Sequence, residues 1–167
     1  RTIADKNDIV LIFDEVQCGV GRTGKMFAYQ WSNISPDIMA LAKGLAGGFP
    51  IGCVLSKEKI GKTMKAGSHG TTFGGNPLAM TAGNAVLDIM LESSFLDNVK
   101  IVSNKIWKDL KHISNKYNNI INDINGMGLM IGLKCSMSNQ QLSNDLLSHK
   151  LIVESIADNT IRVVPPL

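Results

Sequence analysis

The chain is poor in aromatic residues (5%), has only three cysteines among 167 residues, and contains no long apolar run. Cys18, Cys53 and Cys135 form no Cys-x-x-Cys pair and are odd in number, which argues against both a disulfide framework and a zinc site. No metal is expected. Nothing approaches the roughly 18 uninterrupted apolar residues of a membrane helix, and no charged-then-apolar leader opens the sequence. Charge of one sign is lacking too, since 17 Lys and Arg stand against 14 Asp and Glu for a net charge of +3. The basic residues are scattered, and so diffuse a field gives no footing to nucleic acid or an anionic membrane as the main partner. With 44% hydrophobic and 19% charged residues, the composition is that of a globular domain in a reducing, cytoplasmic setting. The sequence opens at Arg1 without Met and stops after Pro165-Pro166-Leu167, so a piece of a longer protein is expected.

What is present begins with the run Ile9-Val10-Leu11-Ile12-Phe13, short, continuous and rich in β-branched residues, which predicts a strand buried on both faces of a parallel sheet. It ends in Asp14-Glu15. A second run, residues 38–42, ends at Lys43 and the glycine-rich turn 44–48, and a third covers residues 51–55. Asp14 and Lys43 therefore each sit where an apolar strand stops, and ligand crevices of open α/β sheets lie outside the carboxyl ends of strands. The polar, glycine-rich segment 67–75 leads into Asn76-Pro77, an N-cap and first-turn proline for a helix to about residue 91. Val99, Val102, Ile106, Leu110, Ile113 and Tyr117 recur at helical spacing and predict an amphipathic scaffold helix. A strand is expected around residues 126–132, then a helix opened by the capping box Ser138 and Gln141, and two short strands at 151–155 and 161–164. The elements before about residue 92 read as a parallel α/β layer and those after it as a smaller α+β unit.

Two glycine patterns invite a nucleotide. Gly19-Val20-Gly21-Arg22-Thr23-Gly24 matches the dinucleotide fingerprint, but five residues with two carboxylates separate it from the preceding strand, where a direct strand-to-glycine turn is needed. Residues 19–25 also match a phosphate loop, but Met26 stands in place of the magnesium-binding hydroxyl, and residues 56–63 lack the first glycine. A tight irregular turn is the preferred reading of 19–24.

A carboxylate and a lysine at strand ends, with a hydroxyl-rich loop at a helix start, match the needs of pyridoxal 5'-phosphate. Its aldehyde joins a lysine amine, its ring nitrogen needs an anionic partner, and its phosphate needs hydroxyl and N–H donors. Lys43, Asp14 and Thr71-Thr72 with Gly74-Gly75 could supply these groups. Each alone is more often an ordinary loop or cap residue.

Three segments add a family resemblance. Residues 11–25, with Asp14-Glu15-Val16-Gln17-Cys18-Gly19, residues 36–52, with Ala42-Lys43-Gly44, and residues 69–79, with Thr71-Thr72-Phe73-Gly74-Gly75-Asn76-Pro77, closely resemble the class III, ornithine-type aminotransferases. The later segments 126–132 and 161–167 are similar to that family's C-terminal domain, so the likeness runs through essentially the whole chain.

The resemblance implies a fold type I architecture: an α/β large domain built on a mostly parallel sheet with flanking helices, its C-terminal part at residues 1–92, then a linker helix and a truncated small α+β C-terminal domain at 93–167. It implies that Lys43 is the catalytic, cofactor-bearing lysine, that Asp14 partners the pyridine nitrogen, that Val16 packs on the ring and that Gln17 reaches its hydroxyl, with Glu15 beside them among the cofactor contacts. Thr72 resembles the threonine that binds the phosphate of the neighbouring subunit's cofactor in a homodimer with shared active sites. Thr71, near the substrate, and Arg162, whose planar guanidinium suits a carboxylate, resemble substrate-binding positions. Cys18, Thr71 and Phe73 replace the commoner threonine, serine and tyrosine. Amino-acid and 2-oxo-acid substrates follow, and the string 16–25 with 27–29 and 47–52 is most similar to the branch that exchanges the amino group of N-acetylornithine with 2-oxoglutarate in arginine biosynthesis. Branches acting on ornithine, succinylornithine or 4-aminobutyrate, and a non-catalytic remnant, remain as alternatives. The isolated piece is expected to be inactive.

Overall fold

A computed structural model describes residues 1–167. The chain forms two compact units, Arg1–Leu96 and Asp97–Leu167.

In the first unit β1 (Ile12–Asp14), β2 (Ile38–Leu41) and β3 (Cys53–Ser56) form one sheet in that order. β1 and β2 run parallel, with Ile12 opposite Ile38 and Asp14 opposite Ala40, whereas β3 is antiparallel to β2. The sheet is thus mixed, where a mostly parallel one was expected. A parallel return needs a crossover of a dozen or more residues. Residues 15–37 provide one between β1 and β2, but between β2 and β3 the chain makes only the 3-10 turn Lys43–Ala46 and a glycine-rich bend. β1 also departs from expectation. It lies first in the order of this sheet, and Ile9, Val10 and Ile12 are exposed rather than buried on both faces.

Three helices accompany this sheet: α1 (Thr2–Lys6), α2 (Glu58–Gly61) and α3 (Pro77–Met90). α3 starts as the sequence predicts, because the Asn76 side chain accepts the Ala79 N–H at 2.9 Å and Pro77 occupies the first turn, where its missing N–H is not needed. Val20, Met39, Leu41 and Met90 are buried at the centre, with Met26, Leu45 and Val86 packed against them. Each fully buried side chain of this size contributes roughly 1.5–3 kcal/mol.

One carboxylate ties the lower edge of the sheet together. Asp37, just before β2, accepts from the Leu11 N–H ahead of β1 (2.8 Å), from Lys57 Nζ after β3 (2.7 Å) and from Arg1 Nη1 (2.6 Å). The Lys57 hydrogen bond, then the Leu11 amide and Arg1, hold its carboxyl well below the usual range.

The second unit holds most of α4 (Ser93–Lys116), then β4 (Ile121–Met127), β5 (Met130–Cys135), α5 (Asn139–Ser148), β6 (Glu154–Ile156) and β7 (Thr160–Val163). Its sheet is antiparallel with order β4-β5-β7-β6. The single strand expected at 126–132 is instead the tip of the β4–β5 hairpin. Gly128, at φ +62°, opens a two-residue loop that Met127 and Met130 close, a conformation suited to glycine. Trp107 on α4 donates its indole N–H to the Gly128 carbonyl at 2.8 Å. The β6–β7 loop carries Asp158 and Asn159 at positive φ, as tight hairpins favour. The Asn159 side-chain amide donates to the Cys135 and Met137 carbonyls, and its Oδ1 accepts the Asn139 N–H. Ile131 and Ile161, at the sheet centre, are almost wholly buried.

Because the Asp37 carboxyl lies below its unfolded value, its charged form favours the folded state. That contribution is complete above the unfolded carboxyl value of about 4 and is lost as the pH falls through the lower folded value. Asp37→Asn should therefore lower the unfolding midpoint at neutral pH, and its stability gap to the parent should close on acidification. Paired urea titrations followed by circular dichroism across that range check this, and a gap independent of pH contradicts it.

Candidate functional site

The parallel register of β1 and β2 places the carboxyl ends of both strands side by side. Asp14 is the last residue of β1, and Lys43 opens the 3-10 turn after β2. Both side chains are exposed. Lys43 adopts φ +48°, a left-handed conformation uncommon for a residue with a side chain, and local backbone strain of this kind concentrates at functional sites. Behind it, α3 backs the turn through Val86 and Leu45 in the shared core.

The chain leaves β1 in a tight local turn. Asp14 Oδ1 accepts the Val16 N–H at 3.0 Å, which orients one carboxylate oxygen by hydrogen bonding two residues along the backbone. Val16 and Gln17 follow, both half-buried. Cys18 points its thiol back to the Asp14 carbonyl, and burial, then the Glu15 and Asp14 carboxylates, push that thiol upward. A thiol so raised is a poor nucleophile at neutral pH.

Glu15 behaves differently from its neighbour. It is only 2% exposed, and its two oxygens accept the backbone N–H groups of Ala28 and Tyr29, both at 2.7 Å. The glycine pattern 19–24 is folded as the tight turn expected of it, with Gly21 N–H bonded to the Met26 carbonyl and Gly24 N–H to the Gly21 carbonyl. Lys25 stabilises the far side of that turn, donating to the Gln30 carbonyl (2.8 Å) while lying 4.3 Å from the Trp31 ring centre. Trp31 donates its indole N–H to Thr23. Burial pushes the Arg22 guanidinium downward. None of these residues is free to bind pyrophosphate as a fingerprint loop would.

Thr71 and Thr72 lie on the exposed loop before α3. Thr71, Phe73 and Gly74 border a cavity of about 390 Å³ whose other wall includes Pro50, Ile51 and Ala79. Arg162 belongs to the second unit, on β7 opposite Glu154 of β6, and the two side chains form an ion pair. The structure therefore gathers Asp14, Val16, Gln17 and Lys43 at adjoining strand ends and sets Thr71 and Thr72 on a loop of the same unit, with Arg162 in the other. Sequence reasoning missed the anchoring of Glu15, although alternation of side chains along a strand already places consecutive residues on opposite faces.

Residues 1–167 match the profile of the family Aminotransferase class-III. The chain is 49% identical over 167 residues to an acetylornithine aminotransferase of Mesorhizobium japonicum, covering all of this chain and 42% of that protein. Among solved structures it superimposes on an ornithine aminotransferase of Plasmodium yoelii with a TM-score of 0.91 at 32% identity, over 99% of this chain and 44% of that one. An acetylornithine aminotransferase from Elizabethkingia anophelis gives a TM-score of 0.91 at 31% identity, over 99% and 42% of the two chains. The chain spans less than half the length of these relatives.

The turn after Asp14 leaves no room at Gly19, where an added Cβ would lie 2.7 Å from the Glu15 carbonyl oxygen. Gly19→Ala should cost roughly 1–3 kcal/mol of stability, as overpacking does. Gly44→Ala, whose nearest neighbour would be at 3.8 Å, should stay within about 0.5 kcal/mol. Urea unfolding of the two variants tests the contrast, and equal losses contradict it.

Proposed function

Because the chain belongs to the class III aminotransferases, we propose that it supplies the lysine-bearing part of a pyridoxal-phosphate site and serves the transamination of N-acetylornithine with 2-oxoglutarate. The observation that carries this reading is the parallel register of β1 and β2, which sets an exposed carboxylate and an exposed primary amine at the carboxyl ends of neighbouring strands. That donor set fits the cofactor, whose ring nitrogen takes an anionic partner and whose aldehyde takes an amine. When bound, pyridoxal phosphate supplies an electron-accepting ring that weakens a bond at the substrate α-carbon.

This chain's residues do the rest. Asp14 would face the ring nitrogen as its anionic partner, with one oxygen oriented by the Val16 amide. Val16 would pack on the ring and Gln17 would bond its hydroxyl. Lys43 would hold the cofactor, and its Nζ would serve as general acid and base for the α-proton. Arg162 binds the substrate α-carboxylate through its planar fork, and Thr71 lies near the substrate. In this reading the second unit is the small C-terminal domain of the fold. The protein is a homodimer in which Thr72 reaches the phosphate of the neighbouring subunit's cofactor, and the exposure of Phe73, at 81%, supports a loop that faces another chain. The three cysteines are unpaired, which suits the reducing cytoplasm. No helix is long and apolar enough to cross a membrane.

N-acetylornithine is preferred over ornithine because curated relatives 46–49% identical over the whole chain are acetylornithine aminotransferases. Mixing holoenzyme with either donor and following the visible absorbance of the lysine-bound cofactor should show N-acetylornithine discharging it at concentrations about tenfold lower. Preference for ornithine overturns the substrate assignment, and no response to any amino acid overturns the activity.

A further inference from the structure

Glu15 stands beside Asp14, yet its carboxylate is buried and turned to a different task. Its four polar connections join four pieces of chain. The Glu15 N–H donates to the Ala40 carbonyl (2.9 Å), extending the β1–β2 ladder one step past Asp14 and ending three residues before Lys43. The Glu15 carbonyl accepts the Gly19 N–H (3.0 Å), closing the turn that carries Val16 and Gln17. The two carboxylate oxygens take the Ala28 and Tyr29 amides, the first N–H groups of the 3-10 turn Ala28–Trp31. Those amides have no partner within their own turn.

The side chain at this position must present two acceptors and no donor. A carboxylate does so, whereas an amide offers one acceptor and sets its NH2 against the other backbone N–H. Burying a charge is unfavourable unless it is hydrogen-bonded, and two charge-assisted bonds of 2.7 Å meet that condition. The anchor therefore does not tolerate loss of charge, and loss of length weakens it.

We propose that Glu15 is a positioning residue for the pyridoxal-phosphate site, clamping the returning crossover loop to the end of β1 so that Asp14 and Lys43 keep a fixed relation at the ring. This rests on the proposed function, and it gives Glu15 a role through its neighbours in place of direct contact with the cofactor. If the clamp is released, residue 15 gains freedom, and that freedom passes to Asp14 on one side and, through Ala40, to the strand that leads to Lys43.

Three variants test it. Glu15→Gln is nearly isosteric and removes one acceptor. Ala28→Pro leaves Glu15 intact and deletes one donor. The first position of a helical turn accepts proline, and Phe27 before it is already extended (φ −128°, ψ 143°), as a residue preceding proline must be. In cofactor-free protein, amide exchange at Tyr29 should accelerate in both variants relative to wild type. In holoenzyme, the pH midpoint of the visible absorbance of the lysine-bound cofactor should move by about one unit in Glu15→Gln and in the same direction in Ala28→Pro, since it senses the Asp14 charge at the ring. Glu15→Asp, which keeps the charge, should show a smaller shift than Glu15→Gln. A lowered thermal midpoint with an unmoved absorbance midpoint in whichever variants fold makes Glu15 merely structural and overturns the proposal. Unchanged exchange at Tyr29 overturns it as well. Wild-type protein that develops no cofactor absorbance overturns the functional reading, a result distinct from a normal wild-type titration that the variants leave unaltered.

Discussion

The arrangement of the first unit depends on a single buried charge. Glu15 holds both oxygens to consecutive backbone amides, and a carboxylate away from water persists only when its acceptors are filled. The long crossover from β1 to β2 is free to wander unless something returns it to the sheet. Glu15 does that at its midpoint, and Asp37 does it at the far end, where the Leu11 amide, Lys57 and Arg1 converge. With the crossover pinned at these two places, β1 and β2 can hold a parallel register with only three residue pairs.

The dipeptide Asp14-Glu15 shows how one strand end serves structure and chemistry at once. Successive side chains of a strand point to opposite faces. The outward carboxylate is left exposed at the crevice, and the inward one supports the loop that shapes the crevice. Two adjacent acids of nearly equal chemistry are separated in role by geometry alone. The left-handed backbone at Lys43 belongs to the same pattern. Having ended β2, the chain turns at once, which sets the amine at the strand terminus instead of continuing it along the sheet.

Much of this was legible in the residues because strand ends and caps are local. Asp14 and Lys43 stop apolar runs, and Asn76-Pro77 caps a helix by interactions within four residues. What escaped depends on partners distant in sequence. The exposure of Ile9, Val10 and Ile12 depends on what packs over the sheet, which no local pattern reveals. The hairpin at 121–135 was hidden because Met127 and Met130 flank its two-residue loop, so apolar character runs through the turn. The pairing of Arg162 with Glu154 requires the Asp158-Asn159 loop to set the β6–β7 register. The role of Glu15 needed the 3-10 turn thirteen residues away, whose amides are invisible in side-chain chemistry.

The central claim is that the amine placed at the end of β2 carries the cofactor. Incubating the protein with pyridoxal phosphate, reducing with borohydride and mapping the labelled peptide by mass spectrometry tests it directly. The account predicts a pyridoxyl group on Lys43, with Lys57, Lys59, Lys62 and Lys65 of the same unit unlabelled. Stable label on any of those lysines in place of Lys43, or none at all, contradicts it.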